Sequence, residues 1–245
     1  MTSKNAKTDQ AAPTTGRPVG FDWHGRRLGK KLRAGQKELL EKHLPDIRLT
    51  AQNPEPHFET TMKAAPEKVW LEIGFGGGEH LAAQAKAQPN IGFIGCEPFV
   101  NGVVKLLGAI RDDGLNNIRI CDDDARPLLD AMDDSSIDRA FILYSDPWPK
   151  KRHHKRRFIV KENLDRLARI LKDGAQLRFA SDHKDFVSWA LRHLVEHPAF
   201  SWEAQSAGDW RSPPADWVPT RYEQKALARD ERPVYLLFTR LPRDA

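Results

Sequence analysis

The sequence predicts an α/β fold with a mainly parallel, twisted sheet and helices on both faces. From Val69 onward, short runs rich in β-branched and aromatic residues alternate with longer stretches of helical period. A glycine-rich turn directly follows the first of these strands and precedes a helix. The fourth strand is continuously apolar, which is typical of a strand buried on both faces. Together these observations predict a Rossmann-like sheet.

Two regions precede the α/β pattern. Residues 1–20 are rich in small polar residues and proline, which predicts a disordered tail. Residues 21–65 are expected to form a basic arm, a short helix and a proline-containing linker, because leucines recur in a roughly helical rhythm between Gly25 and Leu44. Residues 66–245 are expected to form the main domain.

Strands and helices alternate along this main domain. The predicted strands cover residues 69–74, 91–97, 118–121, 138–146, 175–182 and 234–241, and the predicted helices cover His80 to Ala87, Val100 to Arg111, 161–172 and 186–197. Such β-α-β units connect with right-handed crossovers, so the strands are expected to lie parallel. A ligand of such a sheet binds beyond the carboxyl ends of the strands, where the strand order reverses.

The basic charge is concentrated in two segments. The formal net charge is +5. Lys150–Arg157 holds six Lys and Arg and no acid, residues 1–33 carry a net +6, and the remainder is left with −7. Segregated charge favours a polyanionic partner such as a nucleic acid, the alternative being two solvated charge runs.

Composition also limits the class of protein. No apolar run approaches the roughly 20 residues that a membrane span requires, and the first residues lack a secretory signal, so we expect no membrane partner. The two cysteines, Cys96 and Cys121, lie in short apolar runs typical of buried strands. This favours free thiols in a reducing cytoplasm over a disulfide framework.

The glycine turn predicts a site for a nucleotide-type cofactor. Gly74, Gly76, Gly77 and Gly78 occupy a position where backbone approaches a ligand too closely for a side chain. The turn alone fits NAD and S-adenosyl-L-methionine (S-adenosylmethionine) equally, and a turn that merely connects a strand to a helix is an alternative.

Three acidic residues favour the methyl donor over NAD. Glu97 ends the second strand, 19 residues after Gly78, where a carboxylate can accept from both hydroxyls of an adenosine ribose. Glu72 precedes the glycines, where it would repel a pyrophosphate but hold the cationic amino acid end of S-adenosylmethionine. Asp124 follows the third strand and is expected to cap a helix while marking the adenine edge, the alternative being a helix cap alone.

The fourth strand ends in a proline-rich loop that runs into the basic segment. Asp146, Pro147 and Trp148 resemble the loop with which nitrogen-directed methyltransferases face the base or amide that they modify. The prolines restrict the backbone, and Trp148 offers an aromatic plane for a base or the cofactor. A simple turn with a core tryptophan is the alternative, which the fusion to Lys150–Arg157 disfavours.

The chain resembles the tRNA (guanine-N7-)-methyltransferase family in the motifs LEIGFGGGEHL, GCEPF, DDARPLL, DPWPKKRHHKRR and TRYEQKALA, over roughly Val69 to Thr239. The glycine turn is generic, whereas DPW with its basic run and the late TRYE are distinctive. The resemblance implies a Rossmann-like class I methyltransferase fold with an antiparallel C-terminal strand. It also implies S-adenosylmethionine as cofactor, tRNA as partner and 7-methylguanosine as product, at the variable-loop guanine of position 46.

The resemblance assigns site residues by motif position. Around the methyl donor it places Glu72, Gly74, Gly76, Glu97, Asp124 and Asp146, with Asp146 as the catalytic residue. The substrate pocket would be lined by Lys150, Asp182, Thr220, Arg221, Tyr222 and Glu223, and RNA would be contacted by Arg152, His153, His154, Lys155, Arg156 and Arg157. Tyr222 as an ordinary core residue is the alternative. No metal is expected, because the adjacent histidines lack a spaced partner.

Guanine N7 carries a lone pair and no proton, so this reaction needs no strong base. Asp146 is therefore expected to act by positioning and by stabilising the positive charge that develops on the purine. Asp182 or Glu223 is expected to accept from N1–H and the amino group of guanine, since one carboxylate can accept two neighbouring donors.

Three other functions stay open from the residues alone. An amino-group methyltransferase acting on DNA or protein has a similar loop, but Trp148 stands where its second proline is usual. A non-catalytic RNA-binding protein would not need Glu72, Glu97 and Asp146. An NAD-dependent oxidoreductase is disfavoured by Glu72 and by the missing third fingerprint glycine. A monomer is the expected state, with a homodimer as the alternative.

Overall fold

The computed structural model describes Gly25 and residues 27–243, so the predicted tail lies outside the described residues. Within them, seven strands form one sheet of order β3-β2-β1-β4-β5-β7-β6. The strands are β1 (Lys68–Ile73), β2 (Ile91–Cys96), β3 (Ile118–Cys121), β4 (Ile137–Leu143), β5 (Leu171–Ser181), β6 (Phe200–Trp202) and β7 (Val234–Arg240). Neighbours from β3 to β5 are parallel, and β7 runs antiparallel to β5 and β6. The mainly parallel sheet with an antiparallel C-terminal strand is confirmed.

Helices flank this sheet and connect its strands. They are α1 (Ala34–Ile47), α2 (Glu79–Ala87), α3 (Val100–Asp113), α4 (Ala125–Ala131), α5 (Lys161–Ile170), α6 (Lys184–Glu196), α7 (Gly208–Arg211) and α8 (Arg221–Leu227), with short 3-10 segments at Phe58–Thr60 and Lys151–Arg156. In the part of the chain that the structure covers, no helix combines the length and the apolar character that a membrane span needs.

The central strands bury both faces, which explains their continuous apolar character. On one face Leu71 and Ile94 join the larger of two hydrophobic clusters. On the other, Trp70 and Phe93 pack edge to face with ring centroids 5.5 Å apart. Buried apolar surface of this kind is the main driving force for folding.

The segment before the main domain, for which the sequence predicts only a linker, lies along β3. The Leu49 amide donates to the Ile120 carbonyl at 2.8 Å. The Arg119 guanidinium donates to the carbonyls of Pro56 and His57, and Phe58 is buried against the sheet. Backbone pairing and one arginine therefore attach residues 48–58 to the main domain.

Several predicted boundaries differ from the structure. The fourth strand ends at Leu143, because Tyr144 turns the backbone with φ +52°. The fifth strand begins at Leu171, directly after α5, so the predicted helix over 161–172 is two residues too long. β6, α7 and α8 were not predicted, and α4 was indicated only by its cap, since three to seven residues are too few for a clear period.

Candidate active site

A cavity of about 450 Å³ opens at the carboxyl ends of β1 to β4, where the strand order reverses between β1 and β4. Five of the six predicted cofactor residues line it, namely Gly74, Gly76, Glu97, Asp124 and Asp146. Trp148, Arg156 and Tyr222 complete the polar and aromatic wall. The volume lies within the range of small-molecule sites.

The glycine loop between β1 and α2 forms one wall of the cavity. Gly74 and Gly76 have φ of +75° and +57°, in the left-handed region that favours glycine. From α3, Gly102 packs against this loop so closely that a Cβ at Gly102 would overlap the carbonyl oxygen of Gly76. The sequence analysis did not single out Gly102, because its requirement arises only from the contact between α3 and the loop.

Glu97 connects the glycine loop to the start of α3. Its Oε2 accepts from the Gly76 amide at 2.8 Å, and its Oε1 accepts from the Phe99 amide at 2.9 Å. Burial raises the pKa of Glu97, and the negative charges of Asp146 and Glu72 add to this, although both amides oppose it. Each oxygen retains a lone pair, so the carboxylate can still accept from a ribose.

Glu72 lies beneath the cavity and does not line it, which differs from the prediction. Its side chain is only 4% exposed, and its Oε2 lies 2.7 Å from Nδ1 of His80 in α2. The hydrogen bond ties β1 to α2 on either side of the glycine loop. The carboxylate of Glu72 is covered, and its effect toward the cavity is its contribution to the raised pKa of Glu97.

The three consecutive aspartates after β3 have three different partners. Asp122 binds Arg48 through Nε at 2.7 Å, and Asp123 lies 3.3 Å from Arg27 of the N-terminal arm. Asp124 caps α4 by accepting from the Arg126 amide, and it also lines the cavity. The capping role predicted for Asp124 is confirmed, and the cap coexists with a place in the cavity wall.

Asp146 lies in a loop with unusual backbone on both sides. Tyr144 and Trp148 have φ of +52° and +42°, backbone angles that residues other than glycine rarely adopt. The Asp146 carboxyl group is accessible to solvent within the cavity, yet the surrounding protein partly desolvates it and raises its pKa. The hydroxyl of the preceding Ser145 is buried and has no partner among the described residues.

Arg157 differs from its predicted role in RNA contact, because its side chain is fully buried. Its Nε donates to the Pro147 carbonyl at 2.8 Å, and its Nη2 forms an ion pair with Asp185 at the start of α6. The guanidinium also packs 5.1 Å from the ring centroid of Trp189. Arg157 supports the loop that carries Asp146 from inside the protein.

The other predicted RNA-binding residues lie on the 3-10 turn and differ in exposure. Arg152 and Lys155 are exposed, as is the neighbouring Lys150. His153, His154 and Arg156 are half-buried, with Arg156 5.0 Å above the Trp148 ring and His153 edge-on to it. The exposed cations form a surface beside the cavity, His153 and Arg156 pack against Trp148 of the loop, and His154 packs against Trp189 of α6.

The predicted substrate residues Thr220 to Glu223 begin α8. Thr220 and Glu223 form a reciprocal capping box, a signal that the spacing T-x-x-E carries in the sequence. Glu223 is buried and accepts from Trp217, Tyr235 and the Thr220 amide, so internal donors already occupy it. Arg221 and Tyr222 are exposed, and the Tyr222 ring lies over Gly76.

Asp182 directly follows β5 and does not line the 450 Å³ cavity, which we call the donor cavity because the sequence predicts a methyl donor there. It lines a separate groove and lies 3.2 Å from Arg229. Among the described residues, no cluster of three or more His, Cys, Asp or Glu side chains has the arrangement of a metal site.

Comparisons with known proteins agree with this geometry. A family model described as a putative methyltransferase matches residues 66–237. A tRNA (guanine-N(7)-)-methyltransferase of Rhodospirillum rubrum is 48% identical over 231 residues, covering 91% of this chain and 89% of the relative. One from a Chelativorans species is 49% identical over 218 residues, covering 89% of this chain and 94% of the relative.

A solved structure supports the fold assignment independently. The 16S rRNA methyltransferase KamB has a TM-score of 0.54 at 17% identity, covering 76% of this chain and 93% of that chain. This similarity shows the fold alone, which is the predicted Rossmann-like class I methyltransferase fold. From the family model and the relatives, the chain belongs to the tRNA (guanine-N(7)-)-methyltransferase family.

Proposed function

We propose that this protein transfers the methyl group of S-adenosylmethionine to N7 of a guanine in tRNA, forming 7-methylguanosine. The observation that best supports this proposal is that Glu97, Asp124 and Asp146 line one cavity beside the glycine loop, next to the exposed cations of residues 150–155. A cavity of fixed negative charge suits a sulfonium, and adjacent cations suit RNA phosphates. The names of the relatives, which specify this modification, agree with the proposal.

The residues of the cavity fit the methyl donor. Glu97 would hold the ribose through the lone pairs that its amide partners leave unused. Asp124 and the apolar side chains of Phe99 and Phe158 would flank the adenine. The unpartnered hydroxyl of Ser145 offers one further hydrogen bond. Bound S-adenosylmethionine supplies an electrophilic methyl group on a positively charged sulfur.

The chemistry of the acceptor assigns Asp146 an electrostatic role. The N7 lone pair forms the new bond to carbon as the bond from sulfur to that carbon breaks, and no proton leaves the guanine. The Asp146 carboxylate would stabilise the positive charge that moves onto the purine. Arg157 would keep the carboxylate in place by holding the Pro147 carbonyl.

The substrate side of the site is assigned to exposed residues. Lys150, Arg152 and Lys155 would bind tRNA phosphates, and Tyr222 would cover the base from α8. Asp182 would accept from the guanine edge if Arg229 releases it, whereas Glu223 supports α8. We further propose the variable-loop guanine, position 46, as the target, a monomer as the active state and the cytoplasm as the location.

The test is to incubate the purified protein with unmodified tRNA transcript and labelled methyl donor. The tRNA is then treated to cleave the strand at 7-methylguanosine. We expect one cleavage, in the variable loop, and we expect Asp146→Asn to lower the rate about 100- to 1,000-fold with unchanged tRNA affinity. Label on an exocyclic amino group, no label, or wild-type rates in Asp146→Asn would contradict the proposal.

A further inference from the structure

A second groove, of about 860 Å³, lies next to the donor cavity. Residues of α6, α7, α8 and β7 line it. The two cavities share no lining residue among those described, but consecutive residues of α8 separate them, since Tyr222 lines the donor cavity and Glu223 lines the groove. The cavity and the groove therefore lie on either side of the start of α8, and an RNA segment that reached both would have to pass over this helix.

The groove offers aromatic and apolar surface to a flat ligand. Trp202 and Trp210 are both half-buried in its wall, alongside Val187 and Leu191 of α6. Trp202 is fixed by stacking on Phe238, with ring planes 16° apart. The guanidinium of Arg211 lies 4.6 Å from the ring centroid of Trp210, so an aromatic ring and a cation are combined at the edge.

The charge of the groove is cationic. Lys184, Arg211 and Arg232 are exposed at the groove, and none forms an ion pair with any acid that the structure describes. Of the two acids of the lining, Glu223 is occupied by its hydrogen bonds, and Asp182 is paired with Arg229 or, on the proposed function, with the target guanine. Three uncompensated cations around an aromatic surface match a base with its phosphates.

We propose that this groove binds a second, unstacked nucleotide of the tRNA, next to the target guanine, with its base against Trp210 and its phosphates near Arg211 and Arg232. The inference rests on the proposed function. Removing a guanine from a folded RNA unstacks its neighbours at a cost, and a separate site for one neighbour lowers that cost. Because stacking alone does not read the hydrogen-bonding edge of a base, we expect any of the four bases to be accepted at this nucleotide.

The first test compares tRNA binding by three variants over a range of salt concentrations. Trp210→Leu is expected to weaken binding roughly 5- to 150-fold, the loss of one base–aromatic stack. Arg211→Gln is expected to lower the slope of log affinity against log salt by about 0.7 to 0.9, the loss of one phosphate contact. The matched control is Arg192→Gln, which removes an exposed cation from α6 outside the groove and should retain wild-type affinity and slope.

The second test is photo-crosslinking of the wild-type protein to tRNA containing photoreactive uridine near the target guanine, read by mass spectrometry. A crosslink to the peptide that contains Trp210 is expected. Arg211 is exposed, so Arg211→Gln is expected to fold. This variant and the crosslink therefore test nucleotide binding in the groove even if Trp210→Leu does not fold.

Three results would overturn the inference. One is wild-type binding by both groove variants. Another is the absence of the crosslink. The third is a wild-type dimer that Trp210→Leu dissociates without changing tRNA affinity, which would assign the groove to a second copy of the chain. Binding of S-adenosylhomocysteine and methylation of tRNA by the wild-type protein are measured in parallel. If both are normal while the groove variants bind tRNA like the wild type, the groove proposal is wrong and the proposed function stands.

Discussion

Two buried charged side chains hold the loops that form the donor cavity. Glu97 accepts from the amides of Gly76 and Phe99, and Arg157 donates to the carbonyl of Pro147. One carboxylate fixes the glycine loop, and one guanidinium fixes the Asp146 loop. Breaking the hydrogen bonds of buried groups costs free energy, so both loops are ordered in the ligand-free protein.

Glu97 gives the stability of the ligand-free protein a pH dependence. Its pKa is raised in the folded protein by burial, so the folded state holds the proton more tightly than the unfolded chain. The contribution is complete below the ordinary carboxyl pKa and is lost as the pH rises through the raised pKa. Asp146, whose pKa is raised by desolvation, acts in the same direction. Urea unfolding at several pH values should show stability falling over this window, less steeply in Glu97→Gln. Equal slopes would refute the assignment.

Arg157→Met separates loop support from RNA contact. The variant leaves the Pro147 carbonyl without its donor, which should cost about 1–3 kcal/mol of stability and lower the methyl-transfer rate. The salt dependence of tRNA binding should stay unchanged, because the guanidinium is buried. The control is Arg152→Gln, an exposed residue of the same segment, which should lower the salt slope by about 0.7 to 0.9. A lowered slope in Arg157→Met would restore the RNA-contact role.

At the scale of elements, the cavity depends on how closely α3 approaches the glycine loop. Gly102→Ala would force a methyl group into the Gly76 carbonyl, so α3 or the loop must shift. We expect at least a tenfold loss of affinity for S-adenosylhomocysteine, measured by calorimetry. Gly108→Ala is the matched control, because nothing lies within 4 Å of its new methyl group on the same helix. It should retain affinity and gain up to about 1 kcal/mol of stability from helix propensity. Equal affinities for the two variants would show that this contact does not shape the cavity.

The predictability of each element follows from its length and its partners. The strands from β1 to β5 and the long helices have clear periods, so their order and the place of the cavity follow from the sequence. β6 and α7 have three and four residues and carry no period. Glu72 and Arg157 were placed in the right segments, but their burial depends on His80 and Asp185 from other elements. The sequence alone contains no record of those contacts.

At the scale of the whole molecule, charges of both signs meet at the carboxyl edge of the sheet. Glu97, Asp123, Asp124 and Asp146 line the cavity there, and the exposed cations of residues 150–155 follow the loop that carries Asp146. Arg27 of the N-terminal arm lies at the same edge, where its carbonyl accepts from the Val100 amide at 2.8 Å and its side chain pairs with Asp123. The methyl donor would therefore bind the acidic cavity and the RNA the neighbouring cations, at the same edge of the sheet.

The most direct measurement of the central claim is a calorimetric titration of the full chain with S-adenosylmethionine. We predict saturable binding of one molecule per chain, weakened at least tenfold by Gly102→Ala and unaffected by Gly108→Ala. No detectable uptake by the wild-type protein, or the same affinity in both glycine variants, would contradict the placement of a methyl donor at the reversal point of this sheet.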